Sequence, residues 1–220
     1  MLDPRTAPLI GIDRHLPAVP LQNLSGQALR ERFARKLPWQ AELMRDDRLL
    51  GDRPLRQAAV LVPIMLRASP TVLLTRRTDH LASHSGQIAF PGGKVDEADA
   101  DAAAAALREA EEEVGLSPRW VELIGTLPEY LTGSAYRITP VIGLVDPAAE
   151  FSPNPDEVAD LFEVPLDFLM DPAHHQRHAM DWQGHRREWL AMPYDDSGTE
   201  RFIWGITAAM LRNLYRFLSA

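Results

Sequence analysis

Apolar positions along this chain fall into short runs separated by turn-forming residues, and one long helical stretch interrupts them. From Ala102 to Val114 helix formers predominate, with Asp99 or Asp101 available as N-cap, Gly115 placed to stop the helix and Pro118 beyond it. At about 100° per residue, Ala103, Leu107, Ala110 and Val114 share one stripe. Glu109, Glu112 and Glu113 gather on a separate stripe, and Glu111 points well away from these three.

The remaining runs read mostly as strands. Gln57–Leu66 is continuously apolar and suits a strand buried on both faces, with Pro63 implying an edge position or a bulge. Thr71–Arg77 is a second strand ending in two arginines. A short strand leads from the polar loop after Thr78 through Phe90 into Pro91 and the glycine pair Gly92 and Gly93. Trp120–Leu127 and Ile138–Val145 follow the helix as further strands, separated by a loop with Glu129, Tyr130, Thr132, Tyr136 and Arg137. Pro153–Leu166 reads as a turn and a strand, followed by a helical turn around Asp167–Met170. Arg186–Met192 and Arg201–Trp204 flank the turn-rich Asp195–Gly198, which predicts a hairpin. Ser25 caps a packing helix through Arg35. The last helix, Ile206–Leu218, carries one broad apolar face that suits the body of the domain or a second subunit of a homodimer equally well. Met1–Val19 is proline-rich and aperiodic, a loose arm or a surface strap. Strands flanking a helix in this order point to an α/β sandwich with a mixed sheet. The division expected is an arm and helix over residues 1–52 and the main domain over 53–220.

Composition narrows the function classes. Thirty-one acidic residues against 23 Lys and Arg give a net charge of -8, which disfavours broad binding to nucleic acid or an anionic membrane. The absence of cysteine excludes disulfides and thiol catalysis. Charges and prolines occupy the first 16 residues where a signal peptide needs an apolar core, and no later run approaches a membrane span, so a cytoplasmic protein is expected. His174, His175 and His178 invite a metal reading, but without a nearby acidic or cysteine pattern they are expected as a surface cluster.

The glutamate stripe carries the chemistry. Carboxylates at i, i+3 and i+4 repel by roughly 0.2–0.5 kcal/mol per pair on an exposed helix, and Arg108 offsets part of this through Glu112. A charge run of this kind is ordinarily a solvated face. A divalent cation removes the conflict equally well, since Mg²⁺ takes one or two carboxylates together with waters and phosphate oxygens of a substrate.

The order of residues around the stripe decides between these readings. Gly93, Arg108, Glu109, Glu112, Glu113, Gly115 and Leu116 closely resemble the Nudix box, whose tail Arg-Glu-apolar-x-Glu-Glu-x-Gly-apolar is complete here as REAEEEVGL. Asp99 stands six residues after the glycine, where the box usually has Glu, and one extra residue precedes Arg108; Asp99 is not assigned as a ligand. The resemblance implies a Nudix-type α/β/α sandwich with an N-terminal helical extension and a C-terminal helix. It also implies Mg²⁺ or Mn²⁺ held by Glu109, Glu112 and Glu113, with Arg108 orienting the carboxylates and Gly92 and Gly93 shaping the turn. Glu157 is a candidate further acid from a later loop.

Upstream of the box, LLTRRTDHLASHSGQIAFPGG resembles the signature of the coenzyme A pyrophosphatase branch of the Nudix hydrolases. Leu73, Leu74, Thr75, Arg77, Gly86, Phe90, Pro91, Gly92 and Gly93 match it, and Pro153–Val158 and Ile203–Ala208 are similar to the branch as well. Thr78 stands where the branch has Ser or Ala, and Ala82 where it has Arg, a fork of phosphate donors that alanine lacks. The branch implies hydrolysis of the pyrophosphate bond of coenzyme A or its thioesters. Arg76, Arg77, Lys94 and Arg137 are the cations available to substrate phosphates, beside Gly86, Gly92 and Gly93. Two rivals stand beside this reading: a Nudix hydrolase of ADP-ribose, NADH or another nucleoside diphosphate derivative, and a non-catalytic binding module of the same fold. The intact acidic tail argues against the second.

Overall fold

The computed structural model describes residues 3–35, 37–42, 54–78, 86–182 and 184–220. Ala82, the rest of the loop over residues 79–85, and position 53, where the main domain is expected to begin, lie outside the described residues. Among the described residues no helix is long and apolar enough to cross a membrane.

The strand that organises the larger sheet is β2 (Arg56–Met65), with the apolar run foreseen for it. It pairs in parallel with β8 (Tyr136–Val145), and β8 pairs antiparallel with β6 (Val121–Thr126) and β7 (Tyr130–Leu131). On its other side β2 meets β5 (Gly92–Lys94) and then β3 (Thr71–Arg77), which carries β4 (Ile88–Ala89) and β9 (Val158–Pro165). The sheet is thus mixed, as expected.

Pro63 lies neither at an edge nor at a bulge. It sits opposite Gly143 in unbroken register with β8. The N–H of Leu61, two residues earlier, points to the opposite side and donates to Pro91 O, so the nitrogen of Pro63 faces that side too. There β5 pairs with Ala58–Val60 and β3 only with Ile64 and Met65, so Pro63 falls between two partners and its missing donor leaves no ladder bond unmade.

The two faces of the sheet bury two apolar clusters. On one, Ala59, Leu61, Met65, Leu73, Val141 and Val145 pack against α2 (Ala102–Val114), whose Ala105, Ala106 and Ala110 let the helix approach closely. The buried stripe of α2 also includes Glu113, so it is turned from the expected one, leaving Ala103 and Leu107 at its margin. On the other face, Val62, Ile64, Val72, Leu74, Ile142 and Leu144 join one cluster with α4 (Gly205–Leu218). Leu29 of α1 (Gly26–Ala34), capped by Ser25, and Leu166 and Leu169 of α3 (Leu166–Leu169) belong to the same cluster.

A second antiparallel sheet runs in the order β1 (Leu9–Ile12), β10 (Gln176–Trp182), β11 (His185–Asp196), β12 (Thr199–Trp204). The hairpin expected around Asp195–Gly198 is present, with positive φ at Ser197 and Gly198 as a two-residue turn between twisted strands demands. Leu190, Met192 and Ile203 of this sheet join the cluster around α4, so that helix is buried on nearly every side rather than along one face.

Such burial encloses polar groups, and the N-terminal arm satisfies them. Arg212 is 1% exposed. Its Nε donates to Glu42 Oε2 at 2.7 Å, and its Nη1 lies 3.1 Å from Asp13 Oδ2 and donates to His175 Nδ1 at 3.0 Å. Arg177 donates to both Asp13 and Glu42, Glu42 N–H to Asn213 Oδ1, and Tyr215 OH to Pro17 O. A buried charge costs several kcal/mol unless so paired, which makes the arm a built-in part of the body rather than a loose arm.

The histidines do not form the expected surface cluster. His175 is 0% and His178 6% exposed, and only His174 is at the surface, stacked on Phe168. Strand β10, which has no alternating apolar signal, carries His178 inward, where Nδ1 donates to Ala7 O.

His175 Nε2 donates to Leu169 O while Nδ1 accepts from Arg212, an arrangement that holds the ring neutral. Burial, together with the Arg212 charge, pushes its pKa down to about 4, against the pull of its bond to Leu169. Between pH 6.5 and about 4 the unfolded chain therefore takes up a proton that the native ring refuses, so stability falls as pH falls through that window. Thermal unfolding followed across it should show a Tm declining by several degrees, at about 2–4 °C per kcal/mol for a chain of this size. The H175Q protein should lose that part of the slope, and an unchanged slope would refute the assignment.

Candidate active site

The site is made where α2 crosses β5, and local chemistry fixes both. Asp101 caps α2, accepting from Ala104 N–H at 2.8 Å, and Gly115 ends it with φ 69°. Gly92, at φ 156°, runs so close to β2 that a Cβ there would lie 2.4 Å from Ala59 O. A Cβ on Gly93 would lie 2.5 Å from the carboxylate atoms of Glu109. The glycine pair is therefore what lets the helix lay its carboxylates against the strand.

Glu113 is the innermost acid, its side chain 4% exposed. Its Oε2 accepts from Gly92 N–H at 3.1 Å and its Oε1 from Arg77 Nη1 at 3.3 Å. Burial pushes its pKa up to about 7; the Gly92 and Arg77 contacts oppose the rise, and the charges of Glu157 and Glu109 add to it. Burial raises Glu109 as well, with Arg108 opposing and Glu112 and Glu157 adding. Glu112 is the outermost, with 58% of its side chain exposed.

Arg108 ties these groups to the loop before the helix. Nε and Nη2 donate to the two oxygens of Asp99, each at 3.0 Å, and Nη1 donates to Glu109 at 3.0 Å and Glu112 at 3.1 Å. Nη2 also donates to Lys94 O. Asp99 is thus no helix cap: the bonds from Arg108 and from Asp96 N–H hold its carboxyl below the usual carboxylate range. This pair was not visible in the sequence, because a contact across the loop has no periodicity to reveal it.

Glu157, at the entry to β9, lies near enough for its charge to act on both Glu109 and Glu113. Its loop is fastened to the end of α2, Asn154 N–H donating to Glu113 O and Ser152 N–H to Val114 O. Register places Arg77 and Arg137 on the α2 face of the sheet, Arg77 reaching Glu113 and Arg137 pairing with Glu129 at 3.6 Å. Arg76 and Lys94 have the opposite parity and project on the far face, so they do not join the carboxylates. Gly86, at φ 68°, makes the turn into β4.

Among the described residues no three His, Asp or Glu side chains are gathered as a ready metal cage. Arg108 Nη1 holds Glu109 and Glu112 about one nitrogen, while Glu113 is turned inward to Gly92 N–H and Arg77. The donor set nonetheless fits a hard divalent ion: these are oxygen ligands, Glu113 buried and Glu109 partly so, both raised first by burial and further by neighbouring carboxylates, and a cation would relieve both.

The NUDIX domain family model matches residues 55–183. Over 160 residues the chain is 45% identical to the uncharacterized Nudix hydrolase NudL of Escherichia coli K12, an alignment spanning 72% of this chain and 81% of the relative. NudL of Shigella boydii matches with the same identity and coverage. Among solved structures, the Nudix hydrolase RenU of M. smegmatis is similar with 27% identity and a TM-score of 0.44, covering 52% of this chain and 73% of its own. A C. elegans Ap4A hydrolase complex is similar with 18% identity and a TM-score of 0.43, covering 50% and 80%. The chain accordingly belongs to the Nudix hydrolase family, enzymes that hydrolyse nucleoside diphosphate derivatives and generally use divalent cations.

Proposed function

We propose that this enzyme hydrolyses the pyrophosphate bond of coenzyme A or its thioesters, yielding 4'-phosphopantetheine or its acyl form and adenosine 3',5'-bisphosphate. The observation that carries this reading is that the upstream signature and the box meet at one point. Arg77 and Gly92, both within the signature, bind the two oxygens of Glu113.

In this reading Glu109, Glu112 and Glu113 hold Mg²⁺ or Mn²⁺, and Glu157 is a further acid beside them. The bound cation would neutralise the oxygens of the diphosphate and lower the pKa of an attacking water. The chain's own groups prepare the place. Gly92 N–H and Arg77 orient Glu113, Arg108 fixes Glu109 and Glu112, and Asp99 fixes Arg108. Arg137, on the same face, is available to the substrate's phosphates, a role that Arg76 and Lys94 leave by projecting on the other face. Water adds to phosphorus as the bridging P–O bond breaks, the departing phosphate takes the electron pair, and the proton that the water gives up passes to one of the site's carboxylates. The Ala82 substitution favours one second reading, hydrolysis of ADP-ribose, NADH or a related derivative, because the branch's arginine is missing there.

Three measurements test this. Incubated with Mg²⁺ or Mn²⁺ and a panel of coenzyme A, acetyl-coenzyme A, ADP-ribose and NADH, the protein should release adenosine 3',5'-bisphosphate from the first two fastest; faster turnover of ADP-ribose would select the rival. Replacing the exposed Glu112 with Gln should leave stability within about 0.5 kcal/mol of the wild type. The same change should remove turnover by more than the roughly 10- to 100-fold typical of losing an outer partner of a metal ligand. Asp99→Asn, which removes the charge that seats Arg108, should fall inside that 10- to 100-fold range, and wild-type kinetics would show that Asp99 has no bearing on the site.

A further inference from the structure

Strand β4 stands at one end of the larger sheet and leads, through Phe90 and Pro91, into the glycine pair. It is two residues long, and β3 holds only its inner side: Arg77 N–H donates to Gln87 O and Thr75 Oγ1 to Ala89 O. The alternation of a strand turns the carbonyl between them, that of Ile88, outward. No neighbouring strand pairs with that edge among the described residues. It is met instead by the first turn of α4, where Thr207 Oγ1 donates to Ile88 O at 3.0 Å. Both residues are buried, Thr207 at 8% and Ile88 at 7% exposure.

We infer that Thr207 is a positioning residue for the hydrolytic site, holding β4 and thereby the Gly92 N–H that orients Glu113. The path is short and covalent. From Ile88 the chain runs through buried Phe90 to Pro91, whose carbonyl accepts from Leu61, and then to Gly92, whose N–H reaches Glu113. A two-residue strand cannot hold its own outer edge, and an unmet buried carbonyl there would favour a shift of β4. A shift at Ile88 would be passed to Gly92, because a close-packed interior transmits displacement. The C-terminal helix, distant in sequence from the acidic box, so acts on the box through one hydroxyl. Tyr215, near the other end of α4, makes a bond of the same kind to Pro17 O, far from β4, and provides the control.

The inference rests on the hydrolase reading for its kinetic consequence but not for its structural one, so two readouts separate them. In the metal-free protein, amide exchange at Gly92 should quicken several-fold in Thr207→Val, stay at the wild-type rate in Thr207→Ser, and stay unchanged in Tyr215→Phe. In the active enzyme, Thr207→Val should lower kcat about 10-fold or more with little change in KM, Thr207→Ser should restore it, and Tyr215→Phe should leave it intact. Thr207→Ala serves in the same assays if the valine protein does not fold. Unchanged Gly92 exchange in Thr207→Val, or an equal loss of kcat in Tyr215→Phe, would overturn the positioning role. If the wild type hydrolyses none of the panel, the functional reading fails and the exchange experiment alone judges Thr207.

Discussion

The contact on which the site depends is the one between a buried carboxylate and a backbone amide. Glu113 is on the inner face of its helix, where an apolar residue would ordinarily pack, and it is kept there by Gly92 N–H and the Arg77 guanidinium. Desolvation works against its charge strongly enough to bring its pKa near neutrality. Everything adjacent serves that placement. Gly92 and Gly93 lack the side chains that would collide with β2 and with Glu109, and Asp99 holds Arg108 in position to brace the outer acids. The result is a gradient along one helix, from an almost fully buried Glu113 through a partly covered Glu109 to an exposed Glu112.

A second set of charges has a structural role instead. Arg212 lies in the middle of a helix buried between two sheets, and its partners Asp13 and Glu42 come from the opposite end of the chain. An unpaired guanidinium at that depth would be intolerable, so the arm is bound to the body by the requirement that the charge be met. His175 completes the cluster as a neutral acceptor, which ties the stability of the whole assembly to pH without placing a group in the acidic site. The same helix, at its other end, closes the open edge of β4 with Thr207. Its polar residues thus secure the arm at one side and the strand before the box at the other.

Much of this was legible in the order of residues. The limits of α2, its glycine stop, the central strands, the hairpin at Ser197–Gly198 and the mixed sheet follow from periodicity and turn chemistry, because each is a local property of a few successive residues. The box was legible for a different reason, a pattern specific enough to show the family. Strand β10 was missed because Gln176–Trp182 mixes polar and apolar residues on both faces, and the histidines misled because burial was to be supplied by other elements. Pro63 misled likewise, since whether a missing donor matters depends on which strand stands opposite.

What the chain determined by itself is therefore most of the elements, the family and the acidic ridge, all encoded within stretches of a dozen residues or so. What only the tertiary structure decided is how the charges pair. Asp99 with Arg108, Glu113 with Gly92 and Arg77, Arg212 with Asp13 and Glu42, and the division of Arg77 and Arg137 from Arg76 and Lys94 between the two sheet faces are all of this kind. The physical reason is that a charge is satisfied by whatever lies within a few ångströms of it, and proximity of that sort is a property of register and packing rather than of neighbours in sequence.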